Sequence, residues 1–330
     1  TNNTVQNFTY GLYTTAPTSG TTNNTTATHN VFTGITSVGL YQSHSGCNTV
    51  LTGNSLACSG ASADAANIFH GSATLDGNVI SSPYLGVLVT NSGTSAVITH
   101  NTISNADWGI YSMSGGSISE VSGNFLNTYY GIRLNSSAGS VGNVTNNDLS
   151  GTTVGISNST ASTINAACNW WGFPCRSQFS GKMEGSVTYS PWLNMGADGS
   201  TDPGFQPAGT CNATDISASA SVTSNYNGSQ ISCHGATDGV ITITATGGNG
   251  PLVYTLTPGE TNPTGVFTGL ASNTYSWSVT DANGCTPVTG SLTISEPGSV
   301  TVVSAVKKSY NGSDLSCATA ADGEITVTAT

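Results

Sequence analysis

The chain has 330 residues, of which only 6% are charged, with 5 basic and 16 acidic side chains and a net charge of −11. Five basic residues (Arg133, Arg176, Lys182, Lys307 and Lys308) cannot form the stripe that displaces counterions from a nucleic acid, and they argue equally against docking on an anionic membrane. No apolar run approaches the roughly 20 residues of a spanning helix, while 36% hydrophobic residues suffice for a core and 41 Gly, with abundant Thr, Ser and Asn, point to short strands and tight turns.

From the first residue to about residue 193 the chain repeats itself. The segments GNVISSPYLGVLV from Gly77, HNTISNADWGIYS from His100, GNFLNTYYGIRL from Gly123 and NNDLSGTTVGIS from Asn146 each place an Asn ahead of an apolar residue and, seven or eight positions on, a Gly with apolar neighbours. Asn78, Asn101, Asn124 and Asn147 are 23 apart, Asn169 follows 22 later, and Asn54, Asn30 and Asn3 extend the series upstream at 24, 24 and 27. No helical pattern accompanies this period. Three strands of about four or five residues and three turns use it up, and they return the chain about 4.8 Å above its start. Stacked Asn side chains then bond one another and the turn backbone. The recurrent Gly is expected to serve turns, and Val79, Ile103, Phe125 and Leu149 are expected inside the coil.

These rungs resemble the right-handed parallel β-helix repeats of many secreted bacterial proteins. The stretches CNWWG at Cys168–Gly172 and YSPWL at Tyr189–Leu193 are similar to the segment that often closes such helices. Trp170, Trp171 and Trp192 are the candidate cap over open strand edges.

Residues 194–212, rich in Gly, Pro and Asp, read as a linker. A second repeat follows. YNGSQISCHGATDGVITITAT at Tyr226–Thr246 matches YNGSDLSCATAADGEITVTAT at Tyr310–Thr330, with an offset of 84 and 14 of 21 positions identical. Alternation in VITITAT and YSWSVTD, with turns at GGNG and DANG, fits an antiparallel β-sandwich. From Ser217 to Pro297 the chain resembles the SprB-type repeat of gliding-motility and other surface adhesins of Bacteroidetes. The expected organisation is a β-helix over 1–193, a linker over 194–212, one Ig-like sandwich repeat over 213–297, and over 298–330 the start of a second, truncated repeat. This implies a fragment of a longer array, and Thr1 fits a processed or trimmed start.

Eight cysteines without CxxC pairs read as disulfides rather than metal ligands. Closeness in sequence pairs Cys47 with Cys58 and Cys168 with Cys175. The resemblance implies Cys233 with Cys285 and leaves Cys211 and Cys317 unassigned.

Lyases and hydrolases on β-helices need converging carboxylates. Asp64, Asp76, Asp107, Glu120 and Asp148 occupy different rung positions, so no catalytic site, metal or cofactor is expected. Asp281-Ala282-Asn283-Gly284 reads as a hairpin turn rather than a calcium loop. Trp108, Tyr129 and Tyr130, just ahead of the rung Gly, are the candidate glycan contacts. Ten N-x-S/T sequons, among them Asn135 and Asn158, would carry sugar in a glycosylating host. The resulting expectation is a secreted or cell-surface adhesin or fibre component. Its partners would be polysaccharide, abiotic surfaces or neighbouring copies, with no nucleic acid and no membrane insertion. The alternatives are a β-helix lyase or hydrolase with adhesive modules, and a purely structural filament subunit.

Overall fold

The structure, a computed structural model, describes residues 1–15 and 21–330. The chain forms two compact units. The first comprises Thr1–Ile216 with Gly247–Pro251 and Asp281–Thr286, and the second comprises Ser217–Thr246, Leu252–Thr280 and Pro287–Thr330.

The first unit is a parallel β-solenoid of about eight turns with three sheets along its length. The first sheet stacks six strands from Thr4–Gln6 to Phe125–Asn127, the second eight from Tyr10–Thr14 to Met183–Gly185, and the third six from Asn23–Thr28 to Val141–Thr145. Side chains alternate across each strand. Ile80, Ile103 and Leu126 point inward from the first sheet, Val87, Ile110, Ile132 and Ile156 from the second, and Leu75, Ile98, Val121 and Val144 from the third. All are sealed from solvent, each worth roughly 1.5–3 kcal/mol of hydrophobic stabilisation. The inward residue is the second after each ladder Asn, and Leu149 obeys this rule. The register pairs Val79 with Thr102 and Thr102 with Phe125, which puts Val79 on the surface and leaves Phe125 half-buried. The expectation that these two lie inside is therefore corrected by one position, which in a strand is the opposite face.

The rung glycines also have a different reason from the one expected. A Cβ on Gly109 would sit 2.7 Å from the carbonyl oxygen of Gly131, and one on Gly131 would sit 2.6 Å from that of Gly155. Neither has a positive φ. They let neighbouring rungs approach each other and do not serve a turn.

Positive φ occurs instead at the residue before each ladder Asn: Asn2, His29, Gly53, Gly77, His100, Gly123, Asn146 and Cys168. This left-handed residue swings the chain from the third sheet into the first, and Gly and Asn are the types that tolerate it best. His29 and His100 sit here because the rung beyond them has Gly53 and Gly123, where any side chain would strike the imidazole.

The far end of the solenoid is closed. Trp171 stacks on Phe179 at 5.7 Å and 8°, Phe179 meets Trp192 edge-on at 5.3 Å, and all three are buried. Phe179 comes from the short helix Arg176–Phe179, which the sequence pattern did not reveal. Trp170 is half-buried. Lys182 donates to the carbonyls of Leu149 (2.9 Å), Ser150 (3.0 Å) and Thr152 (2.6 Å), giving partners to acceptors at the end of the coil.

The stretch 194–212, read from composition as a linker, is anchored on the solenoid. Phe205 is buried, its N–H donates to Gly123 O at 2.6 Å, and Gly204 N–H donates to Thr102 Oγ1 at 2.9 Å. One aromatic side chain overrides the polar, flexible composition around it.

The second unit is antiparallel. Gly239–Gly248 pairs with Val266–Leu270, Leu252–Thr257 with Thr261–Asn262, and Asn273–Asp281 with Val288–Ile294. Ile231, Ile241, Ile243, Tyr254, Leu256, Phe267, Tyr275, Val279 and Ile294 are among its buried hydrophobic residues. Val302–Val306 and Ile325–Ala329 form a separate exposed hairpin.

Two disulfides are present, and they differ from the pairs expected. Cys168 bonds to Cys211 and Cys175 to Cys285, whereas Cys47, Cys58, Cys233 and Cys317 are free thiols. In a solenoid, chain neighbours diverge onto different faces. Cys47 opens a third-sheet strand and Cys58 ends a first-sheet strand, so closeness in sequence does not bring them together. Burial pushes the Cys58 thiol up to about 11, which disfavours its reactive thiolate.

Candidate functional site

The second sheet carries an extended aromatic surface. Inward Ile110 and Ile132 fix the strand register, so Tyr111 and Arg133, which pair side by side, project from the opposite face. Trp108 pairs with Tyr130 one rung on. The ring of Tyr84 lies 5.1 Å from Trp108, Trp108 lies 4.9 Å from Tyr111, and Tyr129 lies 5.0 Å from Tyr130. The Arg133 guanidinium stands over both Trp108 (5.3 Å) and Tyr130 (4.7 Å). Asn135 Nδ2 donates to Tyr111 Oη at 3.1 Å. Of the three sequence candidates, Trp108 and Tyr130 share one spot. Tyr129 stands beside them with half its surface exposed. Arg133 completes the spot, and strand alternation, which puts positions 130 and 133 on opposite faces, gave no signal for it in the sequence.

A second aromatic group lies nearer the start of the same sheet. Tyr10, Tyr13, Tyr41 and Phe69 form a chain with centroid spacings of 5.9, 5.2 and 6.2 Å from Tyr10–Tyr13 through Tyr13–Tyr41 to Tyr41–Phe69. Burial, then the neighbouring Tyr13 and Tyr10, raise the Tyr41 pKa. Asp64 separates the two groups. It stands in register between Val38 and Leu85, and loss of water there lifts its carboxyl to about 6, against a hydrogen bond from Asn67.

The other carboxylates lie elsewhere. Asp76, on the third sheet, accepts from Thr99 Oγ1 at 2.8 Å and meets His100 Nδ1 at 2.9 Å. Glu120, also on the third sheet, accepts from Ser122 at 2.7 Å. Asp107 is exposed on the turn before Trp108. Asp148 is buried in a first-sheet position, where desolvation raises its pKa and Lys182 opposes the rise. Asp281 accepts from the N–H groups of Asn249, Asn283 and Cys285, an arrangement that orders the DANG turn with backbone donors.

The Asn ladder runs from Asn3 through Asn30, Asn54, Asn78, Asn101, Asn124 and Asn147 to Asn169. Each side-chain Oδ1 beyond Asn3 accepts the backbone N–H and the Nδ2 of the Asn one rung before it, at 2.8–3.1 Å. Its role is internal, since the Asn side chains from Asn30 onward are buried.

Residues 225–261 match the SprB repeat family, and residues 1–129 match the family described as periplasmic copper-binding protein (NosD). No curated protein and no solved structure matches the chain. Copper sites draw on clustered imidazole and sulfur ligands. Among the described residues no group of three or more His, Cys, Asp or Glu side chains could hold a metal ion, so this donor set does not fit a copper centre. Among them, too, no helix is long and apolar enough to cross a membrane.

Proposed function

We propose that the protein is a non-catalytic, extracytoplasmic adhesin of a bacterial cell surface, of the Bacteroidetes type, which holds polysaccharide or solid surfaces by many weak contacts. The observation that carries this reading is the SprB repeat match at 225–261 together with the second copy of its opening, Tyr310–Thr330. Repetition raises avidity without a strong single site, because each bound unit holds its neighbours at high effective concentration. The NosD match supports an extracytoplasmic place. The two disulfides agree with an oxidising compartment. Asp64, Asp107 and Asp148 lie apart from one another and from Asp76 and Glu120, which share the third sheet but stand two rungs apart, and this dispersal favours binding over hydrolysis, which needs a close carboxylate pair.

The test is retention of beads carrying the 330-residue chain on polysaccharide-coated and bare surfaces. Retention should rise steeply with the density of chains on the bead. The same chain, incubated with acidic and neutral polysaccharides, should release no unsaturated or reducing ends. Density-independent retention contradicts the avidity mechanism, and turnover that vanishes on Asp107→Asn contradicts the non-catalytic one.

A further inference from the structure

We propose that Trp108, Tyr130 and Arg133 form a binding site for a sugar chain bearing carboxylates, on the outer face of the second solenoid sheet. This deepens the adhesive reading and rests on it for its biological sense.

The rings come first. Trp108 and Tyr130 are register partners on adjacent rungs, and rungs stack about 4.8 Å apart, close to the span of one pyranose. A pyranose has an apolar C–H face and a polar rim, and Trp and Tyr present the matching combination of apolar body and polar edge. Tyr84 extends the platform by one ring beyond Trp108.

The cation supplies the chemistry of the ligand. Arg133 is the only Lys or Arg before Arg176 in the sequence. Among the described residues it joins no ion pair, and those present are His100–Asp76, His234–Glu296 and Glu324 with Lys307 and Lys308. Its contacts are with ring faces, at 5.3 and 4.7 Å. Stacking fixes the plane of the guanidinium without consuming its N–H donors, five of which are arranged to grip a carboxylate two at a time. A charge held in this way over two half-buried rings complements a carboxylate on the rim of a sugar stacked against their open edges. The nearby Asp107 and the net charge of −11 oppose sugars that carry several anionic groups each, so the fit is to one carboxylate per sugar, as in polyuronates.

The test uses the full 330-residue chain and titration calorimetry with hexamers of galacturonate, mannuronate and guluronate, each beside its carboxyl-reduced neutral counterpart. At least one uronate hexamer should bind roughly tenfold or more tightly than its neutral counterpart, the scale of one charge-assisted bidentate contact. Arg133→Gln should erase that preference and leave the neutral affinity in place. Arg133→Lys should recover only part of it, since an ammonium lacks the planar fork. Trp108→Ala should weaken both ligands, and Trp108→Phe should restore part of the loss. Unchanged thermal midpoints separate these effects from misfolding, and the outward Arg133 variants keep the test valid if Trp108→Ala fails to fold. Equal affinity for acidic and neutral hexamers, an unaltered preference in Arg133→Gln, or no binding of any hexamer overturns the proposal. Absence of hexamer binding alongside density-dependent bead retention removes this site alone. Hexamer binding without density dependence removes the avidity reading alone.

Discussion

Asn101 donates both its backbone N–H (2.9 Å) and its Nδ2 (3.1 Å) to a single acceptor, the Oδ1 of Asn124 one rung away. Asn124 in turn donates Nδ2 to the carbonyls of Ile98 and Ser122 and repeats the double donation to Asn147. The Asn–Asn links from Asn30 onward are buried, so each of these ladder residues satisfies backbone groups that water cannot reach.

Asn124→Ala removes an acceptor for two donors and a donor for three carbonyl oxygens at once. The expected cost is about 1–3 kcal/mol for leaving buried groups unpaired. Urea denaturation of the wild type and the variant measures it. The amide of Asn101 should also lose hydrogen-exchange protection in the variant, and an unchanged midpoint would show that water replaces the ladder oxygen.

Gly109→Ala places a methyl group 2.7 Å from the Gly131 carbonyl oxygen and 3.1 Å from Thr128 Oγ1. Adjacent rungs cannot part without breaking their ladder bonds, so the expected cost is about 1–3 kcal/mol, as for other overpacked sites. Gly181→Ala is the control, because nothing lies within 4 Å of its Cβ and its φ is not positive. Thermal melts of the two variants should therefore diverge, with Gly181→Ala close to wild type.

The Asn period was legible in the sequence because eight rungs repeat one chemical demand, and a coil of about 23 residues follows from strand geometry. The reason for the rung Gly was not legible, since a spacing shows that a residue recurs but not whether φ or crowding requires it. Val79 and Ile80 illustrate a second limit: two apolar neighbours both satisfy the pattern, and only the register decides which faces in. Trp171 and Trp192 stood out as bulky residues near the end of the repeats, while Phe179, which packs between them, lies in a polar stretch with no repeat to mark it. For Arg133, the strand spacing put it on the face of Tyr111, but the stacking on Trp108 depends on side-chain geometry.

Mapping of non-reduced peptides should find Cys168 joined to Cys211 and Cys175 joined to Cys285. Closing loops of 43 and 110 residues stabilises by about 4 and 5 kcal/mol respectively in the chain-entropy treatment. Alkylation of the native chain should label Cys233 and Cys317, which are exposed, and spare buried Cys47 until unfolding. A Cys233–Cys285 peptide would contradict the arrangement at the cap.

Asp64 makes stability depend on pH in an unusual direction. Desolvation between Val38 and Leu85 raises its carboxyl from 3.8 to about 6, so between those values the folded chain holds a proton that the unfolded chain has released. Stability therefore falls as pH rises through this window, opposite to the effect of a salt-bridged carboxylate. Buried Asp148, also raised, acts with the same sign, and the general repulsion of a chain with net charge −11 adds to the trend. Comparing the wild type with Asp64→Asn cancels both backgrounds. Asn cannot ionise and retains an oxygen for the hydrogen bond from Asn67 Nδ2. The two proteins should have similar urea midpoints near pH 4, and the variant should become increasingly the more stable one as pH rises to 6, with the gap levelling off above that. Parallel curves from pH 4 to 7 would mean that Asp64 is solvated as an ordinary surface carboxylate, and a variant less stable at pH 7 would mean that the ionised form is held by a partner stronger than Asn67.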